Sequence, residues 1–457
     1  MEHLTPQIIA GETGGKYIGE EESRDIHVTG AVRDNRDVQP GSLFVCIQGA
    51  KVDGHTFANS AFEAGAACCL AEKPIPGATG PYILVDSTHD AIMALAAYYR
   101  GLFSIPVVGV TGSVGKTTSK ELIAAALGAK YRVLKTISNQ NNELGVSLLL
   151  LSLDERYDVA VVEMGISEHG EMSNLARMVR PDIFNMTSIG YSHIEALGDL
   201  NGVLRAKSEA FAHMKPESVA ILNGDDDILC GYDPGIRKIL CGLGERNDFR
   251  AENISSEGTQ AVTCDVVNGM ERLHVRIPAY GSHLASLAPA AVAIGRLLGL
   301  TSEEIHKGIL SYAPVDGRAN VIDTGYITLI DDCYNANPHS VEAAITSLCV
   351  LPGRRVAIVG DMLELSGLSD SLHREAGIFA ARSGIDRIIC CGDKAKLAYE
   401  SYRSSCTGAA SYYRDIAQLM TALPKLVKKG DYVLVKASHA MRFDKLIPLL
   451  RVLRSEI

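Results

Sequence analysis

At 457 residues the chain is too long for one ordinary hydrophobic core, and two or three domains are its natural organisation. Its 47% hydrophobic and 21% charged content excludes a disordered chain, and a net charge of -10 without a basic stripe excludes nucleic acid as the main partner, leaving small anionic substrates to local Arg and Lys groups. The 11 cysteines include adjacent pairs (Cys68 with Cys69, Cys390 with Cys391) but no C-x-x-C, a pattern of buried, reduced thiols that disfavours zinc.

The opening MEHLTPQIIAGETGG has neither a basic n-region nor an apolar h-region, and the best apolar run, VSLLLLSL, falls short of a membrane span. A cytoplasmic protein without membrane insertion is therefore expected. Over the first hundred residues SLFVCIQG and YILVD predict strands, while FANSAFEAGAACCLA and HDAIMALAAYYR predict helices. Residues 101–106 break the pattern ahead of VVGVTGSVGKTTSKE, where a β-branched run feeds a glycine turn, Lys-Thr-Thr and a helix. Gly112 and Gly115 let backbone N–H groups approach phosphate oxygens, Lys116 reaches the β- and γ-phosphates, and the Thr117 hydroxyl suits Mg²⁺. Val110 stands where the strict phosphate-loop pattern has its first glycine, so the competing reading is a strand-to-helix turn that needs glycine for tightness alone.

Alternation of strands and helices continues through YDVAVVEMG, MSNLARMV, DIFNMTSIG and VAILNGDD, which implies a mostly parallel sheet flanked by helices. Glu163 closes one of these strands; if that strand neighbours the phosphate loop, its carboxylate completes a Mg²⁺ shell, and otherwise it caps a helix or is solvated. His193, in TSIGYSHIEALG, is a second ligand candidate against the reading of a structural histidine. Lys207, in the predicted helix GVLRAKSEAFAHM, reads by its spacing alone as a solvated lysine. Residues 250–277 predict shorter strands with polar turns, and HLASLAPAAVAIGRLLGL predicts one long buried helix.

Residues 314–317 punctuate the chain again. PVDGRAN there places Arg318 in a linker, where a guanidinium from one domain could clamp a γ-phosphate held by another. A fresh α/β series follows: YITLIDD, SVEAAITSLCVL, RRVAIVGDM, DRIICCGD and DYVLVKAS, its strands ending in the small or acidic residues found at ligand-carrying sheet edges. DDCYNANPHS sets Asp332, Asn335 and Asn337 at such an edge, before a helix capped near Ser340; they suit a ribose, and equally Asx-turns.

These motifs, in this order, resemble the Mur ligase family over nearly the whole chain. RDNRDVQPGSLFVCIQGAKVDGHTFANSAFEAGA is similar to its uridine-nucleotide module, TGSVGKTTSKE to its ATPase loop and TISNQNNELGVSLLLL to the asparagine-rich segment after it. EMGISEHGEM, TSIGYSHIEALG and AKSEAF follow in family order, and DDCYNANP with GDMLELS is the most specific pair. The resemblance implies an α/β fold of three domains: a small α/β uridine-nucleotide-binding domain over residues 1–103, a central P-loop ATPase-like domain with a mostly parallel sheet over 104–314, and a C-terminal Rossmann-like domain over 315–457. It also implies an ATP-dependent ligase with UDP-N-acetylmuramoyl-tripeptide and D-alanyl-D-alanine as small-molecule substrates, acting through an acyl phosphate, with two Mg²⁺ ions; a monomer is expected.

Residue roles carry over by position. The resemblance makes Lys116, Lys207, His193 and Arg318 catalytic, and assigns ATP to Thr111, Gly112, Ser113, Val114, Gly115, Lys116, Thr117 and Thr118 together with Asp332, Asn335 and Asn337. Thr117, Glu163, His193 and a carbamoylated Lys207 become metal ligands, while Asp34, Arg36, Asp53, Gly54, His55, Asn139, Asn141 and Asn142 become substrate-binding residues. Four positions depart from the family pattern: Asn35 for a serine, Ser188 for an asparagine before the histidine, Leu287 for an asparagine that often reads adenine, and Ala437 for a glycine. The rival readings are a sister ligase of the same architecture, either one adding the third peptide residue or a folylpolyglutamate synthetase, and a nucleotide-gated regulatory protein that hydrolyses ATP without an acceptor.

Overall fold

Val-, Ile- and Leu-rich runs bounded by glycine and acidic turns pair into three successive sheets. The structure is a computed structural model that describes residues 1, 3–49 and 52–454, so Glu2 of the opening stretch and Ala50 and Lys51 of the uridine-module motif lie outside the described residues. The first sheet contains β1 (Lys16–Ile18), β2 (Gly30–Val32), β3 (Ser42–Val45), β4 (Cys68–Ala71) and β5 (Tyr82–Leu84) in the order β1-β5-β4-β3-β2, with β1 antiparallel to β5 and the rest parallel. FANSAFEAGAACCLA, expected to be helical throughout, turns strand at Cys68: its helix stops at Glu63 and the second half becomes β4. All four β4 residues are buried between two parallel neighbours, and alanine's helix propensity is a weak preference that such pairing overrides.

The second sheet holds β6 (Val107–Thr111), β7 (Val133–Lys135), β8 (Val159–Glu163), β9 (Ile183–Met186), β10 (Val219–Asn223), β11 (Arg237–Gly242), β12 (Phe249–Ser256), β13 (Val262–Asn268) and β14 (Glu271–Ile277). Their order is β14-β13-β12-β11-β10-β9-β6-β8-β7, parallel except for the hairpins linking β12, β13 and β14. Residues 250–277 thus form strands of 8, 7 and 7 residues instead of the shorter ones expected. Antiparallel ribbons tolerate one wet face, so β13 and β14 extend with alternating burial, whereas β6 and β8 are buried throughout. The long helix expected over HLASLAPAAVAIGRLLGL is also divided. A short 3₁₀ turn, Ser282–Ser286, precedes the helix Ala288–Leu297, because Pro289 fits the first helical turn and could not donate within a longer helix.

The third sheet contains β15 (Asn320–Asp323), β16 (Thr328–Asp331), β17 (Arg355–Gly360), β18 (Arg387–Cys391), β19 (Ala409–Tyr413) and β20 (Tyr432–Lys436), ordered β15-β16-β20-β17-β18-β19 and parallel apart from β15. The helix expected to be capped near Ser340 spans Pro338–Cys349; Asn337 is its N-cap, with Ser340 closing a reciprocal capping box.

One core cluster runs from Leu4 and Val85 through Tyr99 to Val146, Leu175 and Leu222, so the first and second sheets share a core. The helix Thr88–Gly101 is the joint. Fully buried Tyr99 donates to Leu153 O at 2.9 Å, and the Arg100 guanidinium binds the carbonyls of Val179, Phe103 and Ile105, fixing the connection into β6. The third sheet has its own cores on its two faces. The first two sheets therefore pack as one body and the third as another. We propose the domain boundaries at 103/104, after this helix, and at 314/315, ahead of β15. Tyr99→Ala should lower stability by roughly 3–5 kcal/mol in urea unfolding, and Tyr99→Phe by about 1 kcal/mol.

Candidate active site

The carboxyl edge of the second sheet brings the chemistry together. β6 lies between β8 and β9, so the segments after all three strands converge on one edge. After β6 the chain turns through Gly112 at φ +143° and Gly115 at φ +83° into the helix Lys116–Gly128. A Cβ at Gly112 would run into the Thr187 hydroxyl, which itself bonds the Thr111 and Val114 carbonyls. Ser113 N donates to Ser188 O at 2.9 Å and Val114 N to Ser188 Oγ at 3.0 Å. Ser188, where the resemblance leads one to expect asparagine, thus braces the phosphate loop. The helix that follows has no side chain capping its N-terminus, which leaves its first N–H groups for an anion. Lys116 Nζ is turned back onto Gly112 O at 2.8 Å; burial pulls its ammonium below the usual lysine range, with Glu163 opposing and Arg318 adding to the fall.

Register sets Glu163 opposite Val110, so the neighbouring strands on which its metal reading depended are present. The side chain is 1% exposed. Its Oε1 accepts from Asn141 Nδ2 at 2.8 Å and from the Thr117 hydroxyl at 3.2 Å, while Oε2 is buried with no partner. An orphaned carboxylate oxygen beside a hydroxyl is the donor chemistry a hard cation requires, and on that observation these residues fit Mg²⁺. Among the described residues no three His, Cys, Asp or Glu side chains converge as a self-contained metal centre, so a cation here would share its shell with phosphate oxygens.

His193 follows β9 in a left-handed conformation, φ +56°, with Nδ1 2.8 Å from Glu364 Oε2. Burial lowers its imidazolium from the ordinary value; Lys116 and Lys207 push the same way and Glu364 opposes them. Lys207 corrects the expectation of a solvated lysine. It is 1% exposed, no hydrogen bond or ion pair reaches it among the described residues, and burial followed by the Lys116 charge holds its ammonium well below the lysine range.

From the third sheet's side, the Arg318 guanidinium lies 3.8 Å over the Tyr334 ring and its Nη2 is 3.4 Å from Thr117 Oγ1. Asp332 pairs with buried Lys436 at 2.6 Å and accepts from Ala319 N at 3.2 Å; Lys436 also bonds Asn335 O. Asn337 Nδ2 reaches Ser192 Oγ at 3.3 Å.

The result is a cavity of about 420 Å³ between the second and third sheets. Ser113, Val114, Gly115, Lys116, Thr117, Thr118, Asn141, Asn142, Glu163, His193, Arg318, Asp332, Asn335 and Asn337 line it. Thr111, Gly112 and Lys207 do not line it, and Asn139 is exposed and away from it. The first-sheet residues stand apart. Asp34 accepts from Arg36 N, Nε and Nη2, which holds its carboxyl well below the usual range. Asp53 accepts from Lys73 and from His55 N and Nδ1, and His55 Nε2 accepts from Glu72 N, so the turn at Asp53, Gly54 and His55 is braced from within.

Among the lining residues that sequence reasoning missed, the Tyr280 hydroxyl, His283 Nδ1 and Ser347 Oγ are buried without a hydrogen-bond partner among the described residues. Polar interruptions of the apolar runs HLASLAPA and SVEAAITSLCVL were the available signal for the last two. Lys436 and the stacking role of Tyr334 carried none.

Three family models match the chain: "Mur ligase family, catalytic domain" over residues 27–100, "Mur ligase middle domain" over 110–295, and "Mur ligase, glutamate ligase domain" over 317–439. The UDP-N-acetylmuramoyl-tripeptide--D-alanyl-D-alanine ligase of Bacillus subtilis (strain 168) is 35% identical over 92% of this chain and 92% of its own. A crystal structure of MurF from Acinetobacter baumannii superposes with a TM-score of 0.89 at 29% identity, covering 98% of each chain. MurF ligase from Thermotoga maritima in complex with ADP gives a TM-score of 0.83 at 29% identity, over 93% of this chain and 97% of that one.

Lysine cannot reproduce both the stacking on Tyr334 and the planar fork of donors that Arg318 carries. Arg318→Lys should therefore lower kcat roughly 100-fold while nucleotide affinity, measured by calorimetry, changes little.

Proposed function

The chain belongs to the Mur ligase family, and from that premise we propose that it joins D-alanyl-D-alanine to UDP-N-acetylmuramoyl-tripeptide at the expense of ATP, giving UDP-N-acetylmuramoyl-pentapeptide, ADP and phosphate in peptidoglycan precursor synthesis. The observation that carries this reading is a single cavity lined on one side by the phosphate loop and on the other by Arg318 and the DDCYNANP turn. A carboxylate is a poor electrophile. Its oxygen attacks the γ-phosphorus and the bond to ADP breaks; the dipeptide amine then attacks the acyl carbon, phosphate leaves with its oxygen, and the amine gives up a proton.

The uncapped helix start, Lys116 and the loop from Thr111 to Thr118 hold the phosphates. Arg318 meets charge that builds on the transferring group only when the third domain is closed, and closure keeps water from the acyl phosphate. Asp332 with Asn335 takes the ribose, and Asn337 ties that turn to the second domain. The unpartnered groups of Tyr280, His283 and Ser347 face the base in place of the asparagine missing at Leu287. Asn139, Asn141 and Asn142 serve the peptide end of the substrate. Asp34 and Arg36 serve its uridine end with the turn at Asp53, Gly54 and His55, which acts as a braced backbone shape because both His55 nitrogens are engaged.

Thr117, Glu163, His193 and Lys207 are the residues that would hold two Mg²⁺ ions, which when bound neutralise phosphate oxygens and polarise the γ-phosphoryl group. Burial holds the Lys207 ammonium well below the usual lysine range, which favours the amine that adds carbon dioxide, forming an N–C bond and releasing a proton to leave a carbamate with two oxygens. We further propose a cytoplasmic monomer. No helix among the described residues is long and apolar enough to cross a membrane.

Two outcomes test this. Mass spectrometry should find UDP-muramoyl-pentapeptide only with the dipeptide present, and equal product from a single free amino acid would overturn the substrate assignment. Lys207→Ala should cost at least ~100-fold in turnover, partly restored by acetate, whereas full activity would return Lys207 to a packing role.

A further inference from the structure

GDMLELS supplies nothing to the reaction as derived, yet it contacts the site. The segment follows β17 in the third domain and carries two non-glycine residues in the left-handed region, Glu364 at φ +63° and Ser366 at φ +50°. Glu364 Oε2 lies 2.8 Å from Nδ1 of His193, which belongs to the second domain and is itself left-handed at φ +56°. Two strained residues thus face each other across the boundary that moves on closure, and such strain persists where the surroundings over-determine it.

The chemistry of the pair is directional. An ionised carboxylate only accepts, so in the neutral ring Nδ1 must carry the hydrogen and Nε2 is left as a bare lone pair. The ring lines the nucleotide cavity while Glu364 does not, and no hydrogen bond to Nε2 occurs among the described residues. A histidine that donates one nitrogen to a carboxylate and offers the other to a cation is the arrangement that fixes tautomer and ring direction.

We propose that Glu364 is a positioning residue. It selects the Nδ1–H tautomer of His193 and aims Nε2 into the phosphate cavity, and because it arrives on the third domain it completes that alignment only on closure. This rests on the reading of His193 as a cation ligand given above. Glu364→Gln keeps an acceptor oxygen and preserves the tautomer; Glu364→Ala removes it.

The test uses the full chain labelled with ¹⁵N-histidine and free of metal, with His193→Gln assigning the His193 signals. Long-range ¹⁵N–¹H spectra should show Nδ1–H in the native protein and in Glu364→Gln, and a shift toward Nε2–H in Glu364→Ala. Initial rates against Mg²⁺ concentration should then give Glu364→Ala a Mg²⁺ KM raised roughly 10–100-fold, with Glu364→Gln close to native and the KM for D-alanyl-D-alanine unchanged. An unchanged tautomer in Glu364→Ala overturns the proposal whatever His193 does. So does an altered tautomer with unaltered Mg²⁺ dependence, provided His193→Gln itself alters that dependence. If His193→Gln leaves Mg²⁺ dependence untouched while the tautomer still follows Glu364, the ligand reading of His193 fails and the hold of Glu364 on the ring stands.

Discussion

Glu163 leaves the second sheet with one carboxylate oxygen bonded to Asn141 and Thr117 and the other buried without a partner. An unsatisfied buried acceptor costs on the order of 1–3 kcal/mol, more when it is charged, and the fold holds it in place with parallel pairing on both sides of β8. Around it Lys116 bends back to its own loop, Lys207 has no ion-pair partner among the described residues, and Arg318 rests on an aromatic face. Burial lowers the Lys116 and Lys207 ammonium groups below the usual lysine range, with Arg318 pressing on Lys116 and Lys116 on Lys207.

The same logic explains why the cavity belongs to two bodies. The first and second sheets share a core through Tyr99 and Arg100, so the turn at Asp53, Gly54 and His55 and the loop from Thr111 to Thr118 belong to one packed body. The third sheet packs on its own cores and touches the second mainly through polar groups: Arg318 to Thr117, Asn337 to Ser192, Glu364 to His193. Half-buried polar contacts of this kind bind less firmly than a shared apolar core. Tyr280 and Tyr191 are apolar contacts that the second domain makes with the third domain's core. His193, Ala319 and Glu364, all left-handed without being glycine, lie along this boundary, and strain of about 1–3 kcal/mol at each is held by the contacts described.

Much of this was present in the linear chain, because the determining physics is local. A β-branched run, two glycines and Lys-Thr-Thr specify a phosphate loop wherever they fold, and the alternation of buried strands with helices specifies parallel sheets. Strand ends such as Glu163 and Asp332 were legible for the same reason, since an acidic residue closing an apolar run must lie at a sheet edge. Local preference misled where pairing competed with it: β4 inside an alanine-rich stretch, the extended ribbons of β12 to β14, and the helix divided ahead of Pro289.

What only the tertiary structure decided are the quantities that depend on several distant segments at once. Burial of Lys207 is invisible in its own helix, because solvent is excluded by elements remote in sequence. Ser188 as a brace of the phosphate loop, Tyr334 beneath Arg318, and the buried groups of Tyr280, His283 and Ser347 require the segments after β6, β9, β14 and β16 to be brought together. The sequence by itself determined which chemistry the chain carries, since residue type and short-range spacing set donor, acceptor and charge. Which of those groups are desolvated, and which meet across the closing boundary, was decided by the fold, because dielectric and distance are properties of the packed molecule.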